Sequence, residues 1–492
     1  MMLFSSNFVV AAALFFSQAY ALESTDSVIN MNPKNGCFSE DSLKEYKLSV
    51  KKDAGSYDLA SRIDSKECPV LGIEVGETDF SIIPGALLPS DKDVVKYEQE
   101  NQDIKITKTL SLDDKPYIWN FELDVKNLKT EPFQGDLKIE LGTESEHRDA
   151  GGFFSSHPLE HQEFLSYSEE DGLKRESLPF QKSPSKLMMF SKIFENLKWA
   201  GRADQYFTFF ILPIDQGPWK VELLRTGYNI GFSQTAPERT VYRGHLIKNL
   251  QLMPEQTQKL KFQIYGGPKV RHLLDPFPHA TQIIDYGFFE IIATPIFYFL
   301  KFIYSILGNW GAAIIALTFL LKILFYPLQL RAYLAAQKLK KVQPKIDELK
   351  VKYVDDKVKQ QQEIMAVMSQ NGANPMSGCL PLLPTIPVFF GLNAVVQNTF
   401  ELRHSPFIFW IRDLSDKDPY YIMPLIMAAL MYLQQKIMPA PSGDPAQVQA
   451  MKFIPLIFGF FMISSPVGLI LYIMTQTILS ILQQKYMNYR HP

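Results

Sequence analysis

The sequence predicts a chain made of two materials: an exported, all-β antiparallel sandwich, followed by a polytopic α-helical membrane bundle. Three observations carry this. Apolar residues between Leu22 and about Asp285 recur with a period of two; long apolar runs recur from Phe288 onward; and charged residues crowd into the first of these regions. Across 492 residues the 46% apolar content averages over the two and conceals the division. A net charge of −2 offers no basic face, so nucleic acid is not expected as a direct partner.

Residues 1–22 have an apolar centre from Phe8 to Phe16 and end in Ala19-Tyr20-Ala21, the small-residue pattern of a secretory cleavage site. The segment before that centre has no Lys or Arg, so two readings stay open, a signal peptide or an N-terminal membrane anchor. Either places Glu23 onward outside the cytoplasm. Cys37 and Cys68 lie in that exported region, where oxidising conditions permit a disulfide, and Cys379 sits in an apolar run as a small packing residue.

Residues 23–280 form the predicted β domain. Trp119, Phe121, Leu123 and Val125 alternate with Asn120, Glu122, Asp124 and Lys126, and Leu260, Phe262 and Ile264 alternate with Lys261 and Gln263, each a strand with one buried face. Asp113 to Pro116 and Asn127 to Lys129 punctuate them as turns. With no competing helical repeat, an antiparallel sandwich follows. Gly267 to Pro278, with three prolines, reads as the exit.

Residues 283–305 are aromatic-rich with a few charges, which suits an amphipathic helix in the membrane interface. The bundle then occupies 306–490, with spans expected at about 310–330, 375–397, 420–437, 451–464 and 466–482. That gives five crossings, or six with an N-terminal anchor. Between the first two spans, 333–372 reads as a helical hairpin. Leu334, Leu339, Val342, Ile346, Leu349 and Tyr353 fall at helical spacing, and Asp355-Asp356 caps a second helix. This hairpin holds eight Lys against five acids, whereas 399–419 is net acidic, so the hairpin and the C-terminus are expected in the cytoplasm.

Lys322 is the most informative single residue, because it interrupts the apolar run Leu317 to Tyr326. Near the bilayer centre such a charge costs roughly 2.5–3.5 kcal/mol, so it must face protein or water, unless it lies close enough to the cytoplasmic end to snorkel. Thr318 lies one turn earlier on the same face, and later spans add Asn393, Gln434, Gln435, Thr475, Gln476 and Thr477; these suggest a wet cavity or ordinary interhelical hydrogen bonds. Pro375, Pro381, Pro384 and Pro387, with Gly378 and Gly391, suggest a deformable helix beside it, or only a kink. His157-Pro158-Leu159-Glu160-His161 fits a zinc-peptidase pattern, but its Pro and its Gly- and Ser-rich flanks read as loop, so no metal site is expected. No phosphate-binding Gly-rich loop with Lys occurs, and no cofactor is expected.

The run TFLLKILFYPL from Thr318 to Leu328, then Gln343 to Ile346, Asn374-Pro375, Gly378 to Leu383, Pro387 to Phe389 and Pro466 to Tyr472 resemble the YidC insertase family in order and spacing. Tyr265 to Lys269 is similar to the end of the periplasmic domain of its Gram-negative members. The resemblance implies a five-helix insertase core with a periplasmic β-supersandwich, in the inner membrane. It implies no bond chemistry but a hydrophilic substrate groove, open to cytoplasm and lipid, formed by Lys322, Thr318, Tyr472, Gln476 and Thr475. The implied partners are nascent integral membrane proteins, membrane lipids, the Sec translocon and the ribosome. Relatives usually place Arg where this chain has Lys322, and many have a second Tyr where it has Ile473. The charge is kept, but the guanidinium fork and the paired aromatic contact are lost. A polytopic transporter and a membrane-anchored periplasmic binding protein or enzyme are the alternatives. The former usually carries internal repeats, which are not found between these spans.

Overall fold

The structure is a computed structural model. It describes residues 20–23, 27–31, 38–47, 56–58, 71–89, 93–141, 143–145, 163–177, 190–215, 217–228, 239–354, 356–371, 382–437 and 445–490. Residues 1–19, Cys37, Cys68, His157, His161, Pro375, Gly378, Cys379 and Pro381, on which several expectations rest, lie outside the described residues. Among the described residues one compact unit ends at Ile284 and a second begins at Asp285.

Among the described residues the first unit has three antiparallel sheets, a four-stranded one of Tyr20–Glu23, Ser27–Met31, Phe38–Lys47 and Ser56–Asp58 and two larger ones that carry its core. The nine-stranded sheet runs Gly172–Ser177, Glu163–Ser168, Leu197–Ala203, Phe207–Pro213, Thr257–Pro268, Ile118–Asn127, Ile104–Leu112, Val94–Glu100 and Ala86–Leu88. The seven-stranded sheet includes Phe190–Phe194, Lys220–Tyr228, Arg239–Leu252, Phe133–Glu140, Ile73–Val75 and Thr78–Asp79, with Thr143–Ser145 pairing on Arg239–Leu252. The predicted alternation holds. Trp119, Phe121, Leu123 and Val125 point into one core with Leu260, Phe262 and Ile264, and the register pairs Phe121 with Phe262. The two sheets meet closely at Gly244, where an added Cβ would stand 2.1 Å from the ring of Phe164, so no side chain fits.

One feature departs from one-sided alternation. Leu197–Ala203 and Phe207–Pro213 are buried almost continuously because the nine-stranded sheet is covered on both faces here. On its outer face Tyr167, Trp199, Phe210 and Tyr265 form an aromatic layer. Phe277 packs edge-on against Phe210 and Tyr265, and the Trp199 indole donates to Pro278 O at 2.8 Å. The predicted exit segment is thus fastened onto the sheet. The turn at Asn127 is also fixed, its amide donating to Glu131 O, Leu252 O and Met253 O.

In the second unit the α-helices are α1 (Glu290–Leu307), α2 (Trp310–Lys352), α3 (Lys357–Gln370), α4 (Leu382–Asn398), α5 (Ile422–Ile437), α6 (Pro445–Phe461) and α7 (Val467–Arg490). Gly308, left-handed at φ 66°, ends α1, and the Asn309 carboxamide accepts from Ala312 N to start α2. Among the described residues three segments are long and apolar enough to cross a membrane: Gly287–Leu307, Trp310–Leu339 and Val467–Arg490. Ile422–Ile437 and Phe453–Ser464 are apolar but shorter. The segment expected in the interface is therefore also long enough to span. It buries Ala293, Ile296, Phe297 and Leu300 and leaves Ile291 and Phe302 exposed.

Residues expected as a span and as the first arm of a hairpin form one helix, α2, with Pro327 and Pro344 inside it. The other arm is α3, capped by Asp356 accepting from Lys359 N at 3.0 Å. Val342 and Ile346 pack with Leu339, Ile364, Val367 and Met368 to join the arms. Gln360 closes the tip by donating to Lys350 O and Tyr353 O.

Candidate functional site

The candidate functional face lies where α2 packs on α7. On α2, Phe319, Leu320, Ile323 and Leu324 are exposed and apolar, whereas Thr318, Lys322 and Gln329 lie on another face at turn spacing. On α7 the matching polar row is Gln476, Ser480, Gln484 and Asn488, four residues apart, while Ile478, Leu482 and Tyr486 are exposed. The two rows meet. Lys322 Nζ donates to Ser480 Oγ at 2.8 Å and approaches Gln329 Oε1 at 3.5 Å. The Tyr333 hydroxyl donates to Asn488 Oδ1 at 2.8 Å while accepting from Gln337 Nε2 at 2.5 Å. Gln484 Nε2 also reaches Asn488 Oδ1, at 3.3 Å.

Among the described residues no carboxylate pairs with Lys322; its partners are neutral oxygens. An ammonium in this setting retains hydrogen-bonding capacity for a further acceptor.

The expected groove residues divide. Lys322 is central, and Gln476 joins it through its backbone carbonyl, which takes the Ser480 hydroxyl at 2.7 Å. Thr318, Thr475 and Thr477 donate instead to the carbonyls of Ile314, Leu471 and Ile473 in their own helices, so their hydroxyls are satisfied locally. Tyr472 is buried. Asn393 accepts from Gln397 along α4. Ser480, Gln329, Tyr333 and Asn488 were not anticipated. The four-residue spacing on α7 was the available signal.

At the opposite end, where α2 and α7 begin, one loop between α4 and α5 ties the helices together. Asn309 donates to Pro406 O at 3.1 Å, and the Phe407 ring lies on Gly311, where a Cβ would stand 2.2 Å away. Val467 N and Gly468 N donate to Asp416 O and Leu414 O, both at 2.8 Å, and Ser415 Oγ donates to Val396 O at 3.0 Å. The buried Asp418 carboxylate accepts from the Trp410 indole, Tyr420 N and Met423 N, capping α5. Four helix ends converge on this loop. Within it, burial raises the Asp413 carboxyl to about 6 and, with Arg403, lowers His404 to about 4. Their 3.8 Å contact near pH 7 therefore joins a carboxylate to a neutral imidazole.

Residues 21–299 match the family described as the YidC periplasmic domain, and residues 302–492 match the family described as 60Kd inner membrane protein. A membrane protein insertase YidC of Syntrophus aciditrophicus (strain SB) is 32% identical over 473 residues, covering 92% of this chain and 82% of that protein. One from Francisella philomiragia subsp. philomiragia is 34% identical over 386 residues, covering 77% and 67% respectively. Among solved structures, an active YidC insertase with its first transmembrane domain resolved covers 97% of each chain at 16% identity, with a TM-score of 0.40.

Proposed function

Because the chain belongs to the YidC membrane protein insertase family, we propose that it inserts hydrophobic segments of integral membrane proteins through the polar face between α2 and α7, alone or together with the Sec translocon. The observation that carries this reading is the Lys322 ammonium, held on an otherwise apolar membrane helix by neutral oxygens of Ser480 and Gln329. An acidic or polar flank of an incoming chain supplies the acceptor that such a charge lacks. Holding that flank part-way into the bilayer shortens the apolar distance it must cross. The apolar segment then moves sideways into lipid, and its release from water drives the transfer without nucleotide or bond chemistry.

The basic hairpin of α2 and α3 lies in the cytoplasm in this reading, with the C-terminus beside it and the first unit in the periplasm. The inner membrane then meets the loop around Asp418 at its periplasmic face. That loop closes the groove on one side, so substrates enter from the cytoplasm, from ribosomes or the translocon. α1 lies in the interface and packs on the bundle with its buried face.

The test is reconstitution of the purified chain into liposomes with a small single-span substrate, scored by protease protection. Insertion above empty liposomes, reduced by Lys322→Ala and kept by Lys322→Arg, is expected. Insertion no better than empty liposomes would sink the autonomous reading and leave a role only beside the translocon.

A further inference from the structure

We infer that Ser480 is a positioning residue for Lys322: it sets how deep in the groove the charge stands, and so which distance between an acidic residue and an apolar segment a substrate must have. This rests on the insertase reading and adds to it a residue and a selectivity.

Ser480 is committed on both sides. Its single hydroxyl proton goes to Gln476 O at 2.7 Å, so only lone pairs face Lys322 Nζ, 2.8 Å away. It is therefore an oriented acceptor. The ammonium has three protons; one is spent here, and Gln329 offers only a longer contact of 3.5 Å.

The depth follows from the register of two parallel helices. Tyr333 meets Asn488 at a separation of 155 residues, and Lys322 meets Ser480 at 158. The ammonium has thus reached past its own level towards the C-terminal ends by about three residues, roughly 4.5 Å of helix axis. A lysine stem tends to continue in that direction to water, and Gln329 lies two turns further along α2. Ser480 is the acceptor that halts it. Without Ser480, Gln329 Oε1, already 3.5 Å from Nζ, becomes the acceptor, and the charge shifts towards it and the cytoplasmic mouth within the short reach that the lysine stem has left. For an extended substrate tail, at ~3.3 Å per residue, that is a displacement of no more than one residue.

The experiment uses the full chain in liposomes and single-span substrates whose polar flank carries one Asp, placed at successive positions. The native protein should show a maximum of protected product at one position. Ser480→Ala should shift product from that maximum to the neighbouring position, while Ser480→Thr, which keeps the oriented hydroxyl, should leave it in place. If Ser480→Ala does not fold, Ser480→Cys, a weak acceptor of similar size, should move it in the same way. A uniform loss at all positions with the maximum unmoved overturns the inference, as does a Ser480→Thr profile displaced like that of Ala. A native profile with insertion but no dependence on Asp position also overturns it, with the insertase reading intact. No insertion by the native chain overturns the reading beneath it.

Discussion

Tyr333 and Asn488 join α2 to α7 below the lysine, through a hydroxyl that donates to Asn488 Oδ1 at 2.8 Å and accepts from Gln337 at 2.5 Å. Tyr333→Phe removes both bonds and costs about 1 kcal/mol. Spin labels at the exposed Leu334 and Lys485 should then report a broader interhelical distance distribution. An unchanged distribution would mean that packing alone fixes this end.

Lys322→Ala deletes a charge-assisted donor worth about 1.5–3 kcal/mol, so insertion of an acid-flanked substrate should fall roughly ten- to hundredfold. Substrates with a neutral flank should lose much less. Equal losses for both, read in the same vesicles, would argue that the lysine acts on the shape of the groove.

Asp418 accepts from three donors while fully buried, and Asp418→Ala leaves the Trp410 indole and Met423 N without it. The expected destabilisation is about 2–4 kcal/mol. It should appear as a lower melting temperature in detergent and faster proteolysis of the segment between α4 and α5. Asp418→Asn should recover part of the loss.

Gly311→Ala drives a Cβ to 2.2 Å from Phe407, which must move. The cost is about 1–3 kcal/mol. Adding Phe407→Ala should make the glycine substitution nearly neutral, and the pair should be strongly non-additive in a double-mutant cycle of thermal stability. Additive losses would place the strain elsewhere.

His245 lies on the seven-stranded sheet at 6% exposure, with no partner for Nδ1 among the described residues, and burial, reinforced by Lys138, holds it down to about 4. The unfolded chain takes a proton as pH falls through about 6.5, and the fold does not until about 4, so the stability due to this group is full above 6.5 and lost across that interval. Denaturant titrations should show the gap between native protein and His245→Gln narrowing as pH drops from 7 to 4, by up to the order of 3 kcal/mol. A gap that stays constant would show that this group does not titrate in that window.

Much of the fold was legible because a buried face imposes a period. The alternation from Trp119 to Val125 reported a strand and its inner side, and Lys322 stood out because a charge inside an apolar run demands explanation. Less was legible where distant segments decide the outcome. The double burial of Phe207–Pro213 depends on Phe277, which returns to cover Phe210 from far along the chain. The span at 310–330 and the first hairpin arm read as separate elements, but α2 runs through both and past Pro327 and Pro344, because a proline deletes one rung of the ladder and neighbouring contacts carry the rest. Ser480 was hidden by chemistry: a serine satisfied by the carbonyl one turn back is unremarkable in a helix until the lysine beside it is seen.

The continuity of α2 makes it a lever as well as a wall. Its 43 residues extend roughly 65 Å, carrying Lys322 in one arm and the seat of α3 in the other. Pro327, little more than a turn past the lysine, removes the amide that would have engaged Ile323 O, and so sets the point of least bending stiffness there. In the proposed orientation a load on the hairpin would reach Lys322 as a tilt about that point, opposed by the Tyr333–Asn488 bond on the far side of it. A pull on the long arm would then work, with mechanical advantage, on the charge in the short one.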